Sequence, residues 1–139
     1  MNVDEALEFA ASRHNGVLVT QKRDGRPQLS NITHVVVDGV IKISITATRA
    51  KYANLVRNPQ ASLYVCREDF WGYVVVEADA DMSQVATKPD DPGIDELVEV
   101  YRAIAGEHPD WDDYRKAMVA DQRVVVRLRP TYAYGVLGG

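Results

Sequence analysis

Cysteine is nearly absent: Cys66 is the only one in 139 residues. No intrachain disulfide can form. Cys66 ends the apolar run Ala61-Ser62-Leu63-Tyr64-Val65-Cys66, where a thiol reads as a small buried hydrophobe and not as a nucleophile. No apolar run approaches the roughly 20 residues that a membrane helix needs. No basic-then-apolar segment opens the chain, so a cytoplasmic location without a membrane partner is expected. The three histidines, His14, His34 and His108, fall in different elements, and no G-x-S-x-G elbow accompanies them. That argues against a Ser-His-Asp hydrolase. No cluster of His, Cys or carboxylate has ligand spacing, so no metal is expected. The absence of G-x-G-x-x-G removes a Rossmann dinucleotide site. Positive charge is outnumbered, 16 Lys and Arg against 20 Asp and Glu, which disfavours a nucleic-acid partner.

One local absence has the opposite sign. Residues 39–67 contain no Asp or Glu, while Lys42, Arg49, Lys51, Arg57 and Arg67 are all present. A positive window in a chain of net charge -4 suggests a local anionic ligand. At its centre, 44–59 reads as a strand end, a turn and one brief helix, with Thr48 as N-cap and Pro59 as stop. A capping box would place Glu or Gln three residues after the cap; this chain has Lys51 there, and Arg49 at the first helical position. Two cations at a helix N-terminus oppose the dipole. With the free N–H groups of that end they make an anion site, most simply for phosphate. The alternative reading is a solvated helix end.

The length suggests one domain, 1–139. A first helix is expected over 3–13, ended by Asn15-Gly16. Strands follow at 17–21, 26–37 and 40–45, joined by Asp24-Gly25 and Asp38-Gly39 hairpins. A fourth strand spans 61–67. A fifth spans 71–82 with clear period 2: Gly72, Val74, Val76, Ala78, Ala80 and Met82 on one face, Trp71, Tyr73, Val75, Glu77, Asp79 and Asp81 on the other. Asp79 and Asp81 read as solvated. Helical spacing recurs over 94–105 and 110–121, and 90–121 holds ten of the 20 acids, which reads as a solvated acidic face. Residues 123–129 alternate again, Pro130 interrupts them, and 131–137 is a last strand or its continuation. The expected architecture is mostly β with helices (α+β), a six- or seven-stranded antiparallel barrel.

Beside the anion site lie short polar side chains: Gln28, Ser30 and Asn31 near the first hairpin, and Ser44, Thr46 and Thr48 near the end of the third strand. Both groups suit a polar heteroaromatic ring. Trp71 and Tyr73 alternate onto one strand face, either as core or dimer packing or as a stacking wall for a planar ligand.

Three runs carry a resemblance: 24–31 (DGRPQLSN), Arg49-Ala50-Lys51 with Asn54-Leu55, and 101–108 (YRAIAGEH) followed by 111–115 (WDDYR). Together they resemble the split β-barrel flavin and deazaflavin proteins related to pyridoxamine 5'-phosphate oxidase, and most of all the actinobacterial branch similar to coenzyme F420-dependent reductases. The resemblance covers nearly the whole chain. It implies an FMN-binding-like split barrel and a homodimer with each cofactor between two barrels. Arg49 and Lys51 would hold the cofactor phosphate, Asn54 would support that loop, and Gln28, Ser30 and Asn31 would lie along the ring. Trp71 and Tyr73 would come from the other protomer, and Arg123 would join the same pocket. The implied activity is F420-dependent hydride transfer to an organic acceptor. The hydride chemistry belongs to the cofactor, so no catalytic acid or base is singled out; a proton would come from water or a pocket tyrosine such as Tyr73. The alternatives are an FMN-dependent oxidoreductase of the same fold and a non-catalytic cofactor carrier.

Overall fold

Runs rich in β-branched residues build most of the seven strands, and the helices precede them or fall between them. The computed structural model describes residues 1–138. In chain order the elements are α1 (Val3–Ala11), β1 (Asn15–Gln21), β2 (Pro27–Thr33), β3 (Val35–Val37), β4 (Val40–Thr46), α2 (Ala50–Arg57), β5 (Gln60–Cys66), β6 (Tyr73–Met82), α3 (Pro92–Ala105), α4 (Trp111–Ala120) and β7 (Arg123–Val136). Asn2 caps α1, accepting from Glu5 N–H at 2.8 Å. The helix closes at Ser12, and Asn15-Gly16 starts β1 instead of ending α1.

All strand pairs are antiparallel, in the order β2-β1-β5-β6-β7-β4-β3. The two ends of that order, β2 and β3, are separated in sequence by one residue, His34. Two extended residues reach roughly 7 Å, so the edges must meet and the sheet curls into a barrel split along this seam. The single strand expected over 26–37 is therefore two. The break has a cause: His34 N–H donates to His14 O at 2.7 Å, and its buried ring places Nε2 2.8 Å from Ala10 O. The carbonyl can only accept, so Nε2 carries the proton, and the buried Nδ1 has no partner.

The Asp38-Gly39 hairpin has φ of 50° and 78°, the mirror-turn geometry that matches strand twist. Pro130 does not interrupt β7; a register shift opposite Glu77/Ala78 absorbs the irregularity, and Thr131 Oγ1 donates to Glu77 O at 3.2 Å. At Gly135, φ is 151° and a Cβ would lie 2.2 Å from Tyr73 O, so only glycine lets β7 approach β6 there.

The barrel interior is filled by Leu18, Ile41, Ile43, Leu63, Val74, Val76 and their neighbours, with Ala6 and Ala10 of α1 packed against them. A second cluster, including Val35, Ile94, Leu97 and Val125, lies under α3. Two acids expected to be solvated are structural. Glu96 binds Lys42 and Arg127, and Asp81 binds Arg127 and Arg129 at 2.8 and 2.7 Å. These pairs tie α3 to β4 and β7, and β7 to β6. The 101–115 run closes on itself: Tyr101, His108, Trp111 and Tyr114 form one ring cluster, with Tyr101–Tyr114 centroids 5.0 Å apart. Its role is to clamp α3 to α4.

Burial holds the His34 pKa below the ordinary histidine value, and the charge of His14 pushes the same way, against the bond to Ala10. The unfolded chain thus takes up a proton more readily than the folded one, so stability falls as pH drops below about 6.5. Urea unfolding measured between pH 8 and 5 should show this loss, with a shallower slope in His34→Gln.

Candidate functional site

The site begins where β4 runs out. Ala47 N–H donates to Gln122 O at 2.8 Å, and Arg49 N–H turns back to Thr46 O at 3.1 Å. That extra turn delays the helix: α2 starts at Ala50, its N-cap is Arg49, and no side chain caps it. The expected Thr48 cap is therefore not made, and Thr48 is exposed. The first N–H groups of α2 are left without a side-chain acceptor, beside cations instead of carboxylates.

Three cations converge there. Arg123 opens β7 and pairs in register with Thr46 of β4. Its Nη1 lies 3.4 Å from Ser44 O, and its Nε is buried with no acceptor. The Lys51 pKa is lowered by burial first, then by the charges of Arg49 and Arg123. Among the described residues, none of these three joins an ion pair, whereas Lys42, Arg67, Arg102, Arg115, Arg127 and Arg129 all do. A cavity of about 430 Å³ is lined by Asn31, Ser44, Thr46, Arg49, Lys51 and Arg123. It continues into a second hollow that shares Thr46, Arg49 and Arg123 and reaches Asp121 at the end of α4. Asp121 makes no ion pair with them. Unpaired like charges held together lose stability for the folded chain, and a bound anion relieves that loss.

A polar clamp fixes α2. Asn54 is buried and donates to Gln28 Oε1 at 2.7 Å and Thr20 Oγ1 at 3.2 Å. Its Oδ1 accepts from Arg57 Nη2 at 2.8 Å, which also donates to Gln21 O. Gln28 is thus engaged with Asn54 and does not line the cation cavity. Ser30 points inward on the same face as Gln28, and neither cavity reaches it. Asn31, on the opposite face, does line the site. The structure therefore brings Asn31, Ser44, Thr46, Arg49, Lys51 and Arg123 together and separates them from Gln28 and Ser30.

Trp71 and Tyr73 lie elsewhere in this chain. Trp71 belongs to the β5–β6 turn, 77% exposed and edge-on to Phe70, while Tyr73 stacks on Tyr64 with centroids 5.6 Å apart. They border an outward sheet face whose registered rows run Asn31–Val17–Tyr64–Val75–Tyr134 and Leu29–Val19–Ser62–Glu77–Tyr132. Leu29, Tyr132, Tyr134 and Val136 are exposed on it. A cavity of about 750 Å³ opens on the same face and shares Asn31, Ile32 and Thr33 with the cation site. No sequence signal pointed to this second cavity, because its wall joins the loop after α1 with β1, β2 and the end of β5.

Comparisons with known proteins bear on this geometry. The family described as pyridoxamine 5'-phosphate oxidase matches residues 3–137. A conserved hypothetical protein of Mycobacterium tuberculosis is 25% identical, over 98% of this chain and 84% of its own, with a TM-score of 0.76. An F420 reductase is 27% identical, over 91% of this chain and 94% of its own, with a TM-score of 0.70. A heme storage protein of Vibrio cholerae is similar in fold, at 18% identity over 94% and 92% and a TM-score of 0.69. No helix among the described residues is long and apolar enough to cross a membrane, and no group of metal-ligating side chains was found among them.

Replacing Lys51 by alanine should leave the melting temperature in a low-salt, phosphate-free buffer unchanged or slightly raised, since it removes a repelled charge. Inorganic phosphate should stabilise the native chain, by about 1.4 kcal/mol at ten times its dissociation constant, and should not stabilise Lys51→Ala. Thermal melts across a phosphate series check both.

Proposed function

The chain belongs to the pyridoxamine 5'-phosphate oxidase family, and from that premise we propose that it is a cytoplasmic, homodimeric oxidoreductase using F420. The observation that carries this reading is the convergence of Arg49, Lys51 and Arg123 without a counter-ion. The orphaned Arg123 Nε beneath them is the mark of a site that fits a phosphate. The similarity to an F420 reductase over nearly its whole length supports F420 over FMN.

When bound, the reduced deazaflavin supplies a hydride to an organic acceptor. The chain's own residues bind, orient and shield. Arg49, Lys51 and Arg123 hold the phosphate, with the free N–H groups of α2 behind it. Ser44, Thr46 and Asn31 offer hydrogen bonds along the cavity wall. Asn54 keeps α2 seated on β1 and β2, so the cationic tip does not drift. Gln28 acts through Asn54, as a positioning residue. The exposed face of Tyr64, Tyr73, Tyr132, Tyr134 and Val136 suits a second copy of the chain, which would bring its Trp71 and Tyr73 against the planar ring and exclude water from it.

Titration of the purified protein with F420 and with FMN tests the reading. F420 should bind more tightly, and Lys51→Ala should weaken it at least tenfold, about 1.4 kcal/mol, without lowering the melting temperature. FMN binding in preference to F420 would move the assignment to a flavin enzyme; unchanged F420 affinity in Lys51→Ala would overturn the phosphate site. Tyr134→Glu should shift the elution volume from dimer to monomer and reduce F420 affinity together with it.

A further inference from the structure

Among the described residues, three buried side-chain nitrogens lack a partner: Arg123 Nε, His34 Nδ1 and Arg13 Nε. Buried polar atoms are nearly always satisfied; two of these are guanidinium donors, and His34 Nδ1 is the acceptor of its ring. Arg123 Nε belongs to the cation site. His34 Nδ1 lies behind Gly16, 3.4 Å from where a Cβ would stand. Gly16 and Arg13 both line the 750 Å³ cavity on the far side of Asn31–Thr33. Arg13 makes no ion pair. Its Nη1 donates to Cys66 O at 2.9 Å, and its guanidinium lies 4.5 Å over the Phe9 ring. The planar group is thereby fixed in orientation, with no carboxylate supplied by the chain.

The other charged groups at this cavity are accounted for. Arg67 is neutralised by Asp69 at 2.8 Å. His14 has Nδ1 2.9 Å from His34 O. Glu68 is exposed at the rim and unpaired. The rest of the wall includes Tyr64, Val17 and Ile32, which suit a flat organic body.

We propose that this cavity is the acceptor pocket and that its acceptor is a planar organic carboxylate, held by Arg13. A guanidinium held flat is matched to a carboxylate in a way that an ammonium is not. The pocket adjoins the phosphate site across one strand, so a ring anchored by phosphate on one side meets an acceptor anchored by carboxylate on the other. This deepens the oxidoreductase reading and rests on it only for which reaction the pocket serves.

The test uses the full-length protein, with and without F420, and two probes: cinnamate, a planar conjugated carboxylate, and cinnamamide, its neutral counterpart. Calorimetric titration gives affinity, and the side-chain ¹⁵N–¹H resonance of Arg13 Nε reports contact. Cinnamate should bind at least tenfold more tightly than cinnamamide and shift the Arg13 resonance. Arg13→Gln should erase that preference while F420 affinity stays within twofold. Arg13→Lys, which can keep the bond to Cys66 O, should be intermediate and decides the matter if the glutamine variant is unfolded. Equal binding of the two probes, or an undiminished preference in both Arg13 variants, overturns the proposal. Loss of F420 affinity in parallel with cinnamate also overturns it, since the anion held by Arg13 would then be the cofactor's own. F420 binding that ignores Lys51 defeats the phosphate assignment alone; the preference for cinnamate would remain and be read separately.

Discussion

A single buried residue, His34, holds the two edges of the sheet together. β2 and β3 lie at opposite ends of the strand order, yet His34 alone joins them. The backbone bond to His14 and the ring bond to Ala10 fix that link against β1 and α1. The link brings these two edges together although no ladder joins them. With it, the end of β2 is carried beside the end of β4, and Asn31 to Thr33 come to face Ser44 to Thr46. The cation cavity exists because of that juxtaposition; none of its walls is complete within one hairpin.

The distribution of ion pairs shows how the chain separates holding from binding. Lys42, Arg127 and Arg129 are neutralised by Glu96 and Asp81, and those contacts bind α3 and β6 to the barrel. Paired partners hold the carboxyls of Asp81 and Glu96 below their usual range despite partial burial. Arg49, Lys51, Arg123 and Arg13 receive no such partner, although the chain has more acids than bases. Ten acids lie in 90–121, on α3, α4 and their flanks, and only Asp121 reaches the edge of the cation site. Keeping the acids away leaves Lys51 repelled by Arg49 and Arg123 in the folded state.

Much of the architecture was legible in the sequence because it is local. The two Asp-Gly hairpins, the period-2 face of β6 and the helical spacings of α3 and α4 each follow from a few neighbouring residues. Arg49 and Lys51 were readable for the same reason, as cations where a helix prefers acids. What was not legible depends on long-range partners. The break at His34 needs His14 and Ala10. The Thr48 cap fails because the turn is set by Thr46 and by Gln122, far along the chain. Gln28 reads as a ligand contact in the sequence, whereas the fold engages its Oε1 with Asn54, and Ser30 and Asn31, adjacent in sequence, necessarily face opposite sides of β2. Asp81 looked solvated until Arg127 and Arg129 arrived from β7.

The unpaired nitrogens tie these points together. Arg13 and Arg123 come from opposite ends of the chain, and each lines one of two cavities that share the last three residues of β2. His34, the third unpaired group, immediately follows that shared strand. A protein that only needed a closed barrel could have satisfied both guanidinium nitrogens with nearby oxygens, as it does for Arg67 and Arg127; Nδ1 of His34, the acceptor of that ring, would have needed a donor instead. The two guanidinium groups stand at different hollows, Arg13 at one and Arg123 at the other, with one short strand shared between them. The two guanidinium donors are the reason an anionic occupant is proposed for each hollow. That strand is also the one whose position the closure of the barrel fixes, so the same link that brings the two edges of the sheet together sets the spacing between the two hollows.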